Sequence, residues 1–248
     1  MKELIKQLVE AYGPSGHEEG VRALIEGLLR PYVDEMRVDA LGNLIALKKG
    51  SGGGQRVMIA AHMDEIGLVV THIDKQGYLR FAPVGGLMAP WKAGQRVRFG
   101  NGAEGVVGWG KWLESQTLPT QEEMFVDVGA TSPEDCPVRV GDAAMFVQPL
   151  VDLGHRLVAK AMDDRIACAV AMQALMELPS TPHEVYAVFT TQEELGTRGA
   201  MAAAYGVEPQ VAVAVDVTKT GDTPEAKPMA VSLGGGPAVK IMDAGFIA

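Results

Sequence analysis

The chain has 248 residues, 47% of them hydrophobic, and a formal net charge of −9, which allows one substantial core or two modest ones. An acidic balance without a basic cluster excludes nucleic acid and anionic membrane as main partners. No apolar run approaches the roughly 20 residues that span a bilayer and the chain opens on an amphipathic pattern instead of a signal peptide, so a cytoplasmic protein with no membrane partner is expected.

Leu4, Ile5, Leu8 and Val9 keep helical spacing, and Gly13-Pro14-Ser15-Gly16 stops that helix. Ser15 with Glu18 three residues on reads as a capping box for a second helix, whose apolar face is Val21, Leu24, Ile25, Leu28 and Leu29 before Pro31. Strands are expected at 36–38 and 44–47, joined through Gly42-Asn43, and at 57–61, which ends at His62. From Thr71 to Leu153 the texture changes to short apolar runs at 79–82, 96–99, 105–107, 125–128 and 143–147, separated by Gly, Pro, Asn and Asp. This is an all-β module, a small barrel or sandwich, and within it 109–124 reads as a mobile loop. Because strand and helix alternation resumes afterwards, residues 1–70 and 154–248 form the two parts of one α/β domain, and 71–153 is an insertion into it.

The second part opens with a helix from Asp163, its apolar face Ile166, Ala167, Val170, Ala171, Ala174 and Leu175. A strand at 184–190 leads into Gln192-Glu193-Glu194. A short helix at 199–205, stopped by Gly206, precedes a buried strand at 211–215 that ends at Asp216. A glycine turn at 234–236 and a strand at 239–242 close the pattern. Cys136 and Cys168, far apart, read as reduced thiols and not as a zinc site.

Three of these strands hand a metal-ligand type to their C-terminal ends: His62 with Asp64, Glu193 with Glu194, and Asp216. Ligands bind at that edge of open α/β sheets. With Asp163 and Asp164 opening a helix, the edge collects one histidine and up to six carboxylates, and so many negative charges need a cation. Histidine and carboxylate ligation without cysteine favours Zn²⁺, Co²⁺ or Mn²⁺, and a shared carboxylate would hold two ions about 3.5 to 4 Å apart. Each residue also has a plain structural role open to it. His62 alone fits a core histidine, Asp64 a turn cap, Asp163 or Asp164 a helix cap, and the two glutamates a solvated strand end. Asp216, directly after five apolar residues, is costly to bury unless paired. Glycoside hydrolysis by paired acids is a further alternative, disfavoured by an aromatic content of 6%.

Four blocks carry a family resemblance: Ala61-His62-Met63-Asp64-Glu65-Ile66-Gly67, Lys160-Ala161-Met162-Asp163-Asp164-Arg165, residues 191–200 around Glu193-Glu194, and Val215-Asp216. In this order they resemble the M42 group of dinuclear metallo-aminopeptidases, the glutamyl-aminopeptidase and TET-like enzymes that are sometimes labelled cellulases. The resemblance implies a zinc-peptidase-like three-layer α/β domain with an inserted PDZ-like β domain used in dimer-based homo-oligomer assembly. It also implies release of N-terminal residues from peptides, with two divalent ions, zinc or cobalt. By the same resemblance His62 and Asp216 bind one metal, Glu194 the other, and Asp163 bridges them. Asp64 orients His62, and Glu193 is the general base. The family pattern continues beyond 239–242 to a histidine that completes the second site, whereas no histidine follows His183 here. A truncated chain of reduced activity is therefore expected, the alternative being a catalytically incomplete remnant that serves as a metal-binding or interaction module.

Overall fold

The computed structural model describes residues 1–87, 92–110, 119–243 and 246–247. Helices α1 (Lys2–Glu10) and α2 (Glu19–Leu29) precede strands β1 (Glu35–Val38), β2 (Leu44–Lys48) and β3 (Arg56–His62). Next come β4 (Gly67–Ile73), β5 (Leu79–Val84), β6 (Arg96–Phe99), β7 (Glu104–Trp109), β8 (Met124–Asp127) and β9 (Ala143–Phe146). A hairpin of β10 (Val151–Asp152) and β11 (Leu157–Val158) leads to α3 (Met162–Glu177), β12 (Glu184–Thr190), α4 (Arg198–Val207) and β13 (Val211–Ala214). These elements belong to one unit, Met1–Asp216; Val217–Ala248 is a second, in which β14 (Met242–Asp243) pairs with β15 (Phe246–Ile247).

The main sheet runs β1-β2-β12-β3-β13, with β12 and β13 parallel to β3 and antiparallel pairing at β2. Successive strand side chains face opposite ways. Strand β12 therefore sends Val185, Ala187 and Phe189 into a core shared with α1, α2 and α3, and Val188 into one shared with α4. Leu8, Ile25, Leu29 and Phe189 are fully buried, each worth about 1.5–3 kcal/mol of transfer free energy. The result is an α/β fold with helices on both faces of the sheet.

Between β3 and α3 the chain closes a barrel, β4-β5-β8-β7-β6-β9, around Leu68, Val70, Leu79, Phe81, Val97, Phe99, Met124 and Val126. Closure leaves no open edge to template pairing with other chains. Its first strand starts at Gly67, where a Cβ would lie 2.6 Å from the Ala144 carbonyl oxygen, so the close pairing of β4 with β9 requires glycine.

The structure corrects several expectations. Ser15 and Glu18 do not form a capping box; α2 begins at Glu19 with no side-chain cap, and both side chains are buried and bonded elsewhere. In α3, Asp163 and Asp164 have non-helical backbone angles, and the buried face is Ala167, Cys168, Ala171, Met172 and Leu175, leaving Val170 and Ala174 exposed. Gly206 lies inside α4, and Glu208 in the left-handed region (φ 49°) ends it. Strand β13 is exposed along its whole length, because it pairs with β3 on one side and is the last strand of the sheet. No strand starts at Val239; pairing begins at Met242. Of the expected loop at 109–124, residues 111–118 lie outside the described residues, and the flanks are ordered by β7 and a 3₁₀ turn at Gln121–Glu123.

Candidate metal centre

Strand register brings the chemistry to one edge. Thr190 pairs with His62 across the parallel β12–β3 ladder, so the chain leaves β12 beside His62 and turns into Glu193 and Glu194. On the other side of β3, Ala214 pairs with Ala60, and Val215 donates to the Ala60 carbonyl at 2.8 Å, which sets Asp216 level with His62. Helix α3 packs on β3 and presents Asp163 and Asp164 from its first turn.

His62 is buried, and its Nε2 lies 2.9 Å from Asp163 Oδ1 and 3.9 Å from Glu193 Oε2. Its Nδ1 comes within 3.3 Å of Asp64 Oδ1 without the alignment of a hydrogen bond. Ligand-type atoms of His62, Glu193 and Glu194 all lie within 4.8 Å of one another, and so do those of His62, Asp164 and Asp216. Every site residue predicted from the sequence is thus present at this edge. Asp216 is exposed, so the burial cost argued for it does not arise. Asp164, given no role of its own from the sequence, is fully buried; Oδ2 accepts from the His62 N–H at 3.3 Å, and Oδ1 has no partner.

The electrostatics are those of a site short of positive charge. Burial and the neighbouring Asp163 push Glu194 up to about 7. Burial, followed by the charges of Asp216 and Asp163, takes Asp164 to about 8. Glu193 is raised, first by burial and then by Asp216 and Asp64. For His62, burial opposes the charged ring, but Asp163 and Asp64 more than reverse this and hold it at about 11. Asp64 stays below the usual carboxylate range despite burial, because it faces His62 and accepts from Ser15 Oγ at 2.5 Å and from the Glu193 N–H at 3.0 Å. An unpartnered, buried carboxylate oxygen beside an imidazole and four more acids fits a divalent cation, which takes such ligands and relieves their repulsion.

Buried ions also stand behind the centre. Glu65, next to Asp64, accepts from Lys160 Nζ at 2.8 and 2.9 Å and lies 3.4 Å from Arg165 Nη2. Lys160 also reaches the Ala11 carbonyl, and Arg165 the carbonyls of Leu8 and Gly13. The barrel contributes Gly85, just after β5, where a Cβ would fall 2.9 Å from Glu194 Cβ. Sequence reasoning gave none of Ser15, Glu18, Gly85 or Arg165 a place at the site. The Ser15–Glu18 spacing was the available signal, and it pointed to a helix cap instead.

Comparison with known proteins gives one consistent result. The family described as M42 glutamyl aminopeptidase matches residues 42–248. A relative from Acetivibrio thermocellus is 48% identical, covering 100% of this chain and 75% of that protein. The lysyl aminopeptidase of Pyrococcus furiosus is 37% identical, covering 98% of this chain and 73% of that one. Among solved structures, an aminopeptidase of Desulfurococcus kamchatkensis superposes with a TM-score of 0.91 at 42% identity, covering 96% of this chain and 69% of that one. The Pyrococcus horikoshii TET1 peptidase, which can assemble into a tetrahedron or a large octahedral shell, superposes at 0.79 with 32% identity, covering 90% and 72%.

Proposed function

The chain belongs to the M42 family of aminopeptidases, and on that premise we propose that it removes N-terminal residues from peptides with a dinuclear centre of divalent ions, zinc or cobalt, at the edge of its main sheet. The observation that carries this reading is the gathering of Asp163, Asp164, Glu193, Glu194 and Asp216 around the His62 imidazole, with Asp164, Glu193 and Glu194 raised by burial and by the neighbouring charges.

In this reading His62, Asp163 and Asp216 would hold one ion and Glu194 with Asp163 the other, while Asp164 accepts from the His62 backbone N–H. Bound divalent ions supply a nucleophile near neutral pH and polarise the scissile carbonyl. Glu193 moves the proton. Its carboxylate lies 3.9 Å from His62 Nε2 and is half-buried, and as general base it would take a proton from the attacking water and pass it to the departing amine. Asp64 acts through others, accepting from the backbone N–H groups of Glu193 and Glu194 and facing the Nδ1 side of the His62 ring with its charge. The carboxylates left over can receive the free amine of a peptide, which is what exopeptidase selectivity needs. With His62 assigned to the first ion, the second is left with carboxylates from the described residues, so the ion at His62 should be the tighter of the two.

The experiment pairs metal analysis with hydrolysis of aminoacyl anilides. Glu193→Gln should lower kcat by about 10²-fold or more at unchanged metal content, since general base catalysis supplies about 10²–10⁴; Glu194→Gln should lose metal. Full turnover by Glu193→Gln would remove it from the role of base. We further propose that the protein works in the cytoplasm, and that the inserted module of residues 71–153, which holds all of the barrel except the start of β4, serves homo-oligomer assembly, as the TET-like relative suggests. Replacing it by a short linker should reduce the mass seen in light scattering, and an unchanged mass would place the contacts elsewhere.

A further inference from the structure

A turn that carries two adjacent carboxylates into an already acidic site must be held against repulsion, and the holding groups lie outside the ligand set. Three consecutive backbone N–H groups of this turn are each accepted by a buried carboxylate. Gln192 donates to Glu18 Oε1 at 3.1 Å, and Glu193 and Glu194 donate to Asp64 Oδ1 and Oδ2 at 3.0 and 3.1 Å. Asp64 is already at work on His62. Glu18 has no such second duty.

Glu18 is 4% exposed, and its carboxylate makes no bond to the helix it precedes. The oxygen that takes the Gln192 N–H also takes the Gly16 N–H at 2.8 Å. A buried acid near Asp64 is unfavourable, and burial raises its pKa, so the bonds it makes must offset that cost. What they hold is an unusual backbone: Gln192 sits at φ 53°, the left-handed region that few non-glycine residues enter unless their surroundings impose it. The residue that imposes it is anchored in turn. The segment from Gly13 to Ser15 bridges Glu65 through Ser15 N–H to Glu65 O and Glu65 N–H to Gly13 O, both at 3.1 Å, and Ser15 Oγ donates to Asp64. One short segment, Gly13 to Glu18, therefore braces both loops that carry the chemistry, 62–65 and 191–194.

We propose that Glu18 is a positioning residue: it fixes the left-handed turn at Gln192 and thereby aims Glu193 and Glu194 into the site. The consequence for chemistry rests on the roles proposed above for those two glutamates; the bracing of the turn does not.

The test uses the 248-residue chain with two substitutions. Glu18→Met fills the space but accepts no N–H bond, and Glu18→Gln keeps an amide oxygen for the same two donors. Hydrogen exchange followed by mass spectrometry on the metal-free protein reports the turn directly. Calorimetric titration with Co²⁺, together with its visible absorption, reports the aim of Glu194. Glu18→Met should speed exchange in residues 191–195 by about 10-fold, the worth of a hydrogen bond to a charged acceptor, with β2 and β5 unchanged. It should also weaken Co²⁺ binding by about 10-fold and alter the absorption, while Glu18→Gln stays within about 3-fold of the parent in both. Unchanged exchange at 191–195 in Glu18→Met overturns the proposal, and so does faster exchange spread evenly over the sheet, which marks a general loss of stability. If exchange responds as expected but parent and Glu18→Met bind Co²⁺ alike with the same absorption, Glu18 braces the turn without aiming Glu194, and that half of the proposal is overturned. A parent chain that binds no Co²⁺ refutes the metal reading, and exchange alone then decides the role of Glu18.

Discussion

Substituting Glu65 by Gln tests how the site is supported from behind. The side chains of Arg165, Glu65 and Lys160 are buried, at 0%, 3% and 6% exposure. Together they carry one excess positive charge, which the carbonyls of Leu8 and Ala11 at the C-terminal end of α1 partly offset. Glu65→Gln leaves two like cations buried with one amide oxygen between them. Breaking a buried pair by removing one partner costs about 3–5 kcal/mol, which for a domain of this size lowers Tm by about 6–20 °C at 2–4 °C per kcal/mol. Burial already holds Lys160 below the usual lysine range, with Glu65 as the main opposing influence. Without Glu65 its folded pKa falls further below the unfolded value. The cost of that charge is then fully present below the folded pKa and fades as pH rises towards the unfolded one, so the gap between parent and variant should narrow with rising pH. Circular-dichroism melts of the two proteins between pH 6 and 10 measure both effects. The pair Glu65→Gln with Lys160→Met should cost less than the sum of its single changes, as expected for contacting residues. A loss below about 1 kcal/mol, the scale of an exposed pair, with no pH trend would show that the three side chains do not act as a desolvated unit.

Gly85→Ala should weaken Co²⁺ binding by about 10-fold in calorimetry. The new Cβ meets Glu194 Cβ and Ile66 Cγ2 at 2.9 Å from a backbone at φ 74°, a strain of about 1–3 kcal/mol, and unaltered binding would detach the barrel from the site. Tyr12 donates to the Ala143 carbonyl at 2.9 Å, and burial, with Asp142 and Glu65 nearby, lifts its pKa to about 12. The fold therefore prefers the neutral phenol: this contribution to stability is complete below pH 10 and lost between 10 and 12, and Tyr12→Phe should flatten the alkaline limb of a stability–pH curve, a result that an unchanged slope would contradict. Cys168 is fully buried, donates to the His62 carbonyl at 3.1 Å and has a strongly raised pKa from burial, whereas Cys136 is partly exposed. A thiol reagent should label Cys136 rapidly and Cys168 at the rate of unfolding, and fast labelling of Cys168 would show that the α3–β3 interface opens.

Much of this protein is legible in local patterns. Continuous apolar runs bounded by turn residues, histidine or acids located β2, β3 and β12, helical spacing located α1 and α2, and the short apolar runs broken by glycine and asparagine marked the β module that proves to be a closed barrel. The carboxylates and the histidine could be named because each follows a strand directly, and parallel strands in register must deliver their ends to one edge. Other features could not be read this way. Strand β13 has the composition of a buried strand yet is exposed, because burial depends on which elements cover a strand and not on its own residues. Ser15 and Glu18 have the spacing of a helix cap, and the same side chains could serve either the helix or a loop about 50 or 170 residues away. Only the packed structure decides between them, because desolvation at the buried edge makes the unmet N–H groups of residues 192–194 the more costly to leave without an acceptor. Arg165, Lys160 and Glu65 look like ordinary surface charges along the chain. Their value as a buried support exists only once α1, the loop after β3 and the start of α3 are brought together, since the interaction of charges is set by distance and by the exclusion of water, neither of which is written in sequence order.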